Sequence, residues 1–223
     1  MKRITVLLAE DHMVVREGFR MLLGGEDDIE VVGEAQTGRE AGEMTKKLRP
    51  AVVVMDIAMP LLNGLEATRQ IRKAVPDTKV LILSAHNDDA YVDQAIASGA
   101  SGFLLKQTSA HDLSRAIRTV HKGNTFFSPS IARRLQDQKM PGGGGTPRKE
   151  MSHLSSRELE VLQLIAEGKA NKQTASELGI SIKTVEKHRQ NLMAKLNIHE
   201  ISGLTRYAIG AGIIKSSVQL TIV

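Results

Sequence analysis

Acidic, hydroxyl and basic side chains follow short apolar runs at several places in the first half of the chain. Glu10 and Asp11 come directly after one such run, and Asp56 ends a second. Ser84 ends a third run, and Lys106 follows a fourth. If these runs are neighbouring parallel strands, their carboxyl ends meet in one crevice, which is where open parallel sheets bind ligands. The pattern therefore predicts three carboxylates in one crevice, with a hydroxyl and an ammonium group opposite them.

This grouping of charges favours metal-assisted phosphoryl chemistry. Three close carboxylates repel one another, so the arrangement is stable only with a bound cation. A small site built from carboxylate oxygens and water suits Mg²⁺. Bound Mg²⁺ would neutralise an incoming phosphoryl group, and Lys106 and Ser84 could hold the remaining oxygens of that group. An aspartate could then accept the phosphoryl group as an aspartyl phosphate.

Ten alternating segments position these residues. Strands are predicted at five short apolar runs: 4–9, 30–35, 51–56, 79–85 and 102–105. Helices are predicted where apolar residues recur three or four apart: 13–23, 39–48, 64–74, 88–98 and 109–121. Successive strand–helix units require crossover connections, so they predict an α/β fold whose parallel sheet is covered by helices on both faces.

The loop after the third strand carries a long and specific motif. Residues 56–64, Asp-Ile-Ala-Met-Pro-Leu-Leu-Asn-Gly, match the pattern D-x-x-M-P-x-x-x-G. With this motif and the polar strand ends, residues 1–124 resemble the receiver domain of two-component response regulators. The resemblance implies a flavodoxin-like (βα)5 fold that a partner sensor histidine kinase phosphorylates.

The resemblance also implies a role for each polar residue. Asp56 would be the phosphoacceptor and Lys106 the ion partner of the phosphate. Ser84 and Phe103 would form a switch pair that responds to phosphorylation. The implied Mg²⁺ ligands are Glu10, Asp11, Asp56 and the backbone carbonyl of Ala58.

Two positions depart from the commoner receiver pattern. Glu10 stands where the family more often has Asp, which lengthens one metal ligand and leaves its charge unchanged. Gln107 follows Lys106 where many receivers have Pro, so a cis peptide bond is not implied there. His12 and His86 are interpreted as solvated residues without a role in the site.

Two other α/β functions fit the residues poorly. A dinucleotide-binding fold needs a glycine-rich turn after the first strand, but residues 10–12 are Glu-Asp-His, which would repel a pyrophosphate. Phosphohydrolases of the haloacid dehalogenase type need a second Asp two positions after the phosphorylated one, and position 58 is Ala. We therefore expect a phosphoryl acceptor that dephosphorylates itself only slowly, and not an enzyme.

A change of composition separates the first 124 residues from the last third of the chain. Residues 125–150 are interpreted as a linker with a short amphipathic helix at 131–138. Within it, residues 141–147 place four glycines between two prolines, which predicts a flexible hinge. Residues 151–223 show only helical patterns, and Ser155 and Glu158 have the spacing of a capping box. A second, all-α domain of four helices is therefore predicted at 151–223.

Residues 171–195 have the spacing of a helix-turn-helix. Ala175 is small where two helices would cross, Gly179 lies in the turn, and Ser181 is placed to cap the second helix. The polar outer face of that second helix consists of Lys183, Lys187, Gln190, Asn191 and Ala194. Lys can bond guanine, and Gln or Asn can bond adenine, in the major groove, so this face predicts binding to double-stranded DNA.

The same region resembles the LuxR-type helix-turn-helix of the NarL/FixJ response regulators, from Leu154 to about Ile213. The matching residues are 154–160, 171–172, 184–189 and 195–196. The resemblance implies phosphate contacts from Lys172, Thr184 and His188. It implies base contacts from Lys187, Gln190 and Glu186.

Two further expectations concern contacts of this domain. Arg189 lies near the inner face of its helix and is expected to pair with Glu160 inside the domain. The last helix, about 200–209, resembles the dimer helix of the family. Its apolar seam in a homodimer on DNA would consist of Ile201, Leu204 and Ala208.

Composition limits the classes of function. Residues 148–223 carry 11 basic and 7 acidic side chains, whereas residues 1–124 carry 16 and 17, so a polyanionic partner is expected only for the last third. The chain has no cysteine, which excludes disulfides and thiolate zinc sites. No apolar run approaches the ~20 residues of a membrane span. No export signal is visible, so a cytoplasmic protein without a membrane partner is expected.

These observations combine into one hypothesis and one alternative. The hypothesis is a phosphorylation-dependent, DNA-binding transcriptional regulator with a kinase partner. The alternative is a phosphorylation-gated protein-interaction module whose helices bind protein instead of DNA. The alternative leaves the exposed Lys183 and Lys187 unexplained.

Overall fold

The computed structural model of the protein describes residues 3–85, 89–107, 110–127 and 154–214. The chain divides into two compact units, Met1–Pro147 and Arg148–Val223. The helix predicted at 131–138 and the glycine-rich hinge at 141–147 lie outside the described residues. His86 also lies outside them.

The first unit is built on a parallel sheet of five strands. The strands are β1 (Ile4–Ala9), β2 (Ile29–Ala35), β3 (Val52–Asp56), β4 (Lys79–Ser84) and β5 (Gly102–Leu105). Their order in the sheet is β2-β1-β3-β4-β5, and every pairing is parallel. The order reverses direction between β1 and β3, which opens a crevice at the carboxyl ends of these two strands. The predicted α/β fold is confirmed.

Five helices cover the two faces of this sheet. They are α1 (Met13–Gly24), α2 (Gly38–Leu48), α3 (Gly64–Ala74), α4 (Asp89–Ala97) and α5 (Ala110–His121). Alternate strand residues enter two hydrophobic cores because successive side chains point to opposite faces. The core that includes Leu7 and Val53 packs against α2, α3 and α4, and the core that includes Leu8 and Val54 packs against α1 and α5.

The chain continues along the outer edge of β5 after α5 has ended. Phe103 N–H donates to the carbonyl of Phe126 (2.9 Å), and Phe126 N–H donates to the carbonyl of Ser101 (3.1 Å). Phe127 packs against the core that contains Phe103. The segment at 125–127, which the sequence assigned to the linker, thus covers the edge of β5.

The second unit contains four helices among its described residues. They are α6 (Ser156–Ala166), α7 (Asn171–Leu178), α8 (Ile182–Leu196) and α9 (Ile201–Gly210). The predicted capping box is present at the start of α6, where Ser155 and Glu158 cap each other reciprocally. Gly179 has a φ of 61° in the turn between α7 and α8, a conformation that glycine adopts without strain. Ser181 caps α8 by accepting from the backbone of Thr184.

No helix in the described part of the chain combines the length and the apolar character that crossing a membrane would require.

The loop from β3 to α3 is tight because two backbone segments touch in it. Gly64 N–H donates to the carbonyl of Ile57 at 2.7 Å. A Cβ atom on Gly64 would lie 1.8 Å from the carbonyl oxygen of Asp56. Leu61 in the same loop has a φ of 66°, which is the left-handed region. The last residue of β3 is therefore held in place by the start of α3.

Gly64→Ala is expected to destabilise the first unit by about 3 kcal/mol, since the methyl group fits only if Asp56 or α3 moves. Urea unfolding of the full chain measures this change. The matched control is Gly42→Ala in α2, where a Cβ would meet nothing within 4 Å. The control should gain up to about 1 kcal/mol of stability, because alanine is the better helix former. A loss of similar size in both variants would contradict the proposed close contact.

Glu158 is a buried carboxylate that a cation from another helix holds in the second unit. Lys195 Nζ of α8 lies 2.7 Å from Glu158 Oε2, and Ser155 N–H donates to the same oxygen at 2.7 Å. Burial by itself raises the pKa of Glu158. The hydrogen bonds from Lys195 and Ser155 outweigh burial and hold the pKa below its ordinary value. The pair joins α8 to the start of α6.

Lys195→Met is expected to lower the free energy of unfolding of the second unit by about 1–2 kcal/mol at pH 7, because Glu158 stays buried without its cation. Since the folded-state pKa of Glu158 is depressed, this stabilisation is present above about pH 4.3 and is lost as the pH falls through the folded pKa. Urea unfolding at pH 7 and at pH 3.5 measures the difference. Lys187→Met, on the same helix, is the control, and an equal loss in it would count against the ion pair.

Candidate metal centre and nucleic-acid interface

The three carboxylates predicted to converge do meet at the carboxyl edge of the sheet. Glu10 directly follows β1, and Asp56 is the last residue of the neighbouring strand β3. One ligand atom from each of Glu10, Asp11, His12 and Asp56 lies within 4.8 Å of the others. Glu10 is 2% exposed and Asp56 is 3% exposed, so two of these charges are buried.

Lys106 neutralises part of this negative charge. It directly follows β5, and its backbone N–H donates to the carbonyl of Ser84 at 2.8 Å. Its Nζ lies 2.5 Å from Glu10 Oε2 and 3.0 Å from Asp56 Oδ2. Burial by itself lowers the pKa of Lys106, but the charges of Asp56 and Glu10 outweigh it and raise the pKa above its ordinary value. Lys106 is therefore an ammonium ion at neutral pH.

His12 belongs to this cluster, although its sequence position was interpreted as a solvated one. Its Nδ1 lies 3.0 Å from Glu10 Oε1 and 2.9 Å from Asp11 Oδ1. Its side chain is 55% exposed, so the prediction of a solvated residue is correct. The prediction that His12 lies apart from the site is wrong, because it contacts two of the carboxylates. The signal for the contact was position: residues 10–12 form the turn that leads into α1.

Ser84 and Phe103 occupy different surroundings. Ser84 is buried at the end of β4, beside the crevice, and pairs in register with Leu105. Phe103 lies inside β5 and is buried in the core on the side of α2, α3 and α4. Ala58 lies in the loop two residues after Asp56. A switch role for Ser84 and Phe103, and a ligand role for Ala58, stay predictions.

The donor atoms of this centre fit a small, hard divalent cation. Among the described residues, three carboxylates and the Lys106 ammonium meet within a few ångströms, so the carboxylates outnumber this ammonium. Close like charges of this kind are stabilised by a cation, and carboxylate oxygens are the ligands that Mg²⁺ prefers. The cluster of Glu10, Asp11 and Asp56 is thus consistent with a Mg²⁺ site.

The outer face of α8 has the composition that the sequence predicted. Val185 and Leu192 are buried against the domain core. The exposed residues of α8 on the opposite side are Lys183, Glu186, Lys187, Gln190, Asn191 and Ala194. Thr184 and His188 are half-buried, and Lys172 is exposed in the first turn of α7. The structure brings these cationic and amide side chains onto the surface of the helix-turn-helix.

Polar contacts set the position of α8 within the domain. Arg189 Nη1 of α8 lies 3.4 Å from Asn171 Oδ1 at the start of α7. The expected pair between Arg189 and Glu160 is wrong, because Arg189 bonds Asn171 instead. Glu160 forms an ion pair at 2.5 Å with Arg157, which lies one turn before it on α6. Arg157 also donates to the carbonyl of Leu178 at 2.9 Å, which joins α6 to the end of α7.

The predicted dimer seam on α9 is corrected by burial. Leu204 and Ala208 are both 0% exposed, because the face of α9 that carries them packs against α6 within the same domain. These two residues cannot contact a second copy in this fold. Ile201, the third predicted member, is 51% exposed.

Both units match known protein families. The chain matches the model of the response regulator receiver domain over residues 6–118. It matches the model of the LuxR family of bacterial regulatory proteins over residues 152–208. The oxygen regulatory protein NreC of Staphylococcus carnosus is 39% identical over 208 residues, which cover 92% of this chain and 96% of that relative.

Solved structures of response regulators are similar over more than nine-tenths of the chain. The RcsB response regulator of Salmonella typhimurium is 30% identical, with a TM-score of 0.56, and the match covers 93% of this chain and 98% of RcsB. The RcsB–DNA complex is 28% identical, with a TM-score of 0.55, and the match covers 92% of this chain and 98% of the RcsB chain. The chain therefore belongs to the NarL/FixJ family of two-component response regulators, and it is a DNA-binding transcriptional regulator with a receiver domain and a LuxR-type helix-turn-helix.

Proposed function

We propose that the protein binds DNA under the control of phosphorylation on Asp56 by a partner sensor histidine kinase. The observation that carries this proposal is the buried Asp56 carboxylate, which ends β3 with Lys106 Nζ at 3.0 Å. Glu10 and Asp11 lie beside it as further carboxylates. The arrangement combines one acceptor with neighbouring carboxylates that, together with it, can hold a cation.

In the proposed reaction, an oxygen of the Asp56 carboxylate forms a bond to phosphorus while the P–N bond of a kinase phosphohistidine breaks. The leaving imidazole keeps the electron pair of that bond and takes a proton from water. Glu10, Asp11, Asp56 and the carbonyl of Ala58 would hold Mg²⁺, which supplies charge neutralisation for the phosphoryl oxygens. Lys106 would hold a further phosphoryl oxygen, and Ser84 would donate its hydroxyl proton to another.

We also propose how the chain divides these tasks. Residues 1–124 are the receiver domain, residues 125–150 the linker, and residues 151–223 the DNA-binding domain. Ser84 and Phe103 respond to the phosphoryl group and change the surface of the receiver domain. Two observations support this assignment. The strand that ends in Ser84 lies next to the strand that ends in Asp56, and Ser84 accepts a backbone hydrogen bond from Lys106, which follows β5.

The proposed DNA contacts come from α8 and from the first turn of α7. Lys172, Thr184 and His188 are proposed to contact phosphates, and Lys187, Gln190 and Glu186 to contact bases. Lys183 and Asn191 lie on the same exposed face. Two RcsB dimers bound to DNA have been solved, so we propose a homodimer on DNA for this chain too. Because its proposed partner is DNA, we also propose that the protein acts in the cytoplasm.

Asp56→Asn is expected to abolish phosphorylation by acetyl phosphate in Mg²⁺, because the amide oxygen is a poor nucleophile in the same position. Intact mass measures the incorporation of one phosphoryl group into the wild type. Asp77→Asn, at an exposed residue after α3, is the matched control and should be labelled like the wild type. Full labelling of the Asp56 variant would show that Asp56 is not the phosphoacceptor.

Lys172→Ala and Lys187→Ala are expected to differ in their effect on DNA binding. Lys172 lies in the first turn of α7, where side chains meet phosphates. Its loss should therefore weaken all duplexes and lower the salt slope by about one unit per subunit. Lys187 lies in the N-terminal half of α8, where base contacts concentrate. Its loss should cost about 1–3 kcal/mol on the preferred site and relax one base position per half-site.

The measurement is binding of the phosphorylated protein to a selected duplex and to a scrambled duplex across a salt series. Lys46→Ala, at an exposed lysine of the receiver domain, is the control for general loss of positive charge. Equal losses on both duplexes for both variants would mean that the recognition helix is oriented differently. No DNA binding by phosphorylated wild type would favour the protein-interaction module.

A further inference from the structure

We infer that Arg16 is a positioning residue of the metal centre, which acts by fixing the peptide between the two ligands Glu10 and Asp11. Arg16 lies in α1, outside the cluster of carboxylates, and its side chain is 9% exposed. The inference rests on the proposed function, because it concerns the affinity of the same centre for Mg²⁺.

The contacts of Arg16 connect three elements. Its Nη1 donates to the backbone carbonyl of Glu10 at 2.8 Å, and this bond is buried. Its Nε donates to Glu34 Oε2 of β2 at 3.0 Å. The guanidinium is planar and presents its donors in a fixed fork, so the bond to Glu34 also fixes the direction of the bond to Glu10.

The carbonyl that Arg16 holds belongs to the peptide between Glu10 and Asp11. This peptide is planar, so fixing its oxygen also fixes the direction in which the chain leaves Glu10 for Asp11. On the other side, Glu10 N–H donates to the carbonyl of Ala35 of β2 at 3.0 Å. Both backbone groups of Glu10 are therefore bonded, and two consecutive metal ligands take their orientation from these bonds.

The sign of the effect separates positioning from simple charge. Arg16 is a buried cation near an acidic centre, so by Coulomb repulsion alone its removal would tighten the binding of Mg²⁺. If Arg16 positions the ligands, its removal weakens Mg²⁺ binding instead. Residues that orient metal ligands typically change metal affinity about 10–100-fold when they are replaced.

Arg20 offers a matched control on the same helix. It lies one turn further along α1, and its Nε is 3.5 Å from the other oxygen of Glu34. Its side chain is 57% exposed. Replacing Arg20 therefore removes a cation from the same carboxylate, whereas the bond from Arg16 to the Glu10 carbonyl remains.

The experiment titrates Mg²⁺ into the full unphosphorylated chain by calorimetry for the wild type, Arg16→Met, Arg16→Lys and Arg20→Met. Arg16→Met should raise the Kd for Mg²⁺ about 10–100-fold, and Arg20→Met should leave it within about twofold. Arg16→Lys keeps the charge and loses the fork, so its Kd should rise towards the lower end of that range. The rate of labelling by acetyl phosphate at saturating Mg²⁺ is the second readout and should fall in Arg16→Met.

Each result decides whether Arg16 positions the metal ligands or acts only through its charge. A Kd in Arg16→Met that is unchanged or lower than in the wild type overturns the positioning role, even if the variant is less stable to heat. Equal losses in Arg16→Met and Arg20→Met overturn it as well. If Arg16→Met does not fold, Arg16→Lys decides, with a raised Kd supporting the role and an unchanged Kd overturning it. No Mg²⁺ binding by the wild type would refute the metal centre of the proposed function itself.

Discussion

The repulsion between buried carboxylates is the constraint on which the receiver unit depends. Glu10 and Asp56 sit at the ends of adjacent strands, and both are removed from water. Like charges so placed are stable only with a cation between them, and Lys106 supplies one from β5, on the far side of β4. The strand order puts all three at one edge, so the parallel topology is what makes the acidic centre possible.

In the DNA-binding unit a lysine also neutralises a buried carboxylate, that of Glu158, but there a single carboxylate has a lysine of its own. Glu158 is as buried as Glu10 and Asp56, and Lys195 lies 2.7 Å from its carboxylate. Ser155 N–H adds a further donor to the same oxygen. One carboxylate with one ammonium and a backbone donor has its charge satisfied. Glu10 and Asp56 share the ammonium of Lys106, with the Asp11 carboxylate close by, and this grouping of carboxylates is what suits the receiver centre to a cation.

The sequence predicted most of the fold because each strand and helix of the receiver unit has a strong local pattern. Polar residues after buried strands located the acidic centre, since parallel strands end at a common edge. The spacing of apolar residues was a poor guide where the two faces of a short helix differ only slightly. Helix α9 carries apolar residues on both sides, so spacing alone could not tell that Leu204 and Ala208 face the domain core and Ile201 faces solvent.

The contacts of long side chains that reach from one element to another could not be predicted from the sequence either. Arg16 bonds a carbonyl six residues earlier and a glutamate eighteen residues later, and neither distance follows from helical period. Arg189 bonds Asn171 for the same kind of reason, because its partner depends on how α7 and α8 cross. His12 was missed since its contact with Glu10 and Asp11 comes from the bend of the chain into α1.

The hydrogen bonds around the centre indicate which side of it can respond to a charge on Asp56. On the β1 side, Glu10 is held at both backbone groups, by Ala35 and by Arg16. On the α3 side, Gly64 lies against the Asp56 carbonyl, which leaves no room for that strand end to shift. Lys106 is held by a backbone bond to Ser84, and its long side chain reaches the carboxylates of Glu10 and Asp56. Under the proposed function, a phosphoryl group on Asp56 would compete with Glu10 for the Lys106 ammonium, so the rearrangement would pass into β4 and β5. Phe126 is hydrogen-bonded along β5, so a change in β5 would also reach this edge segment.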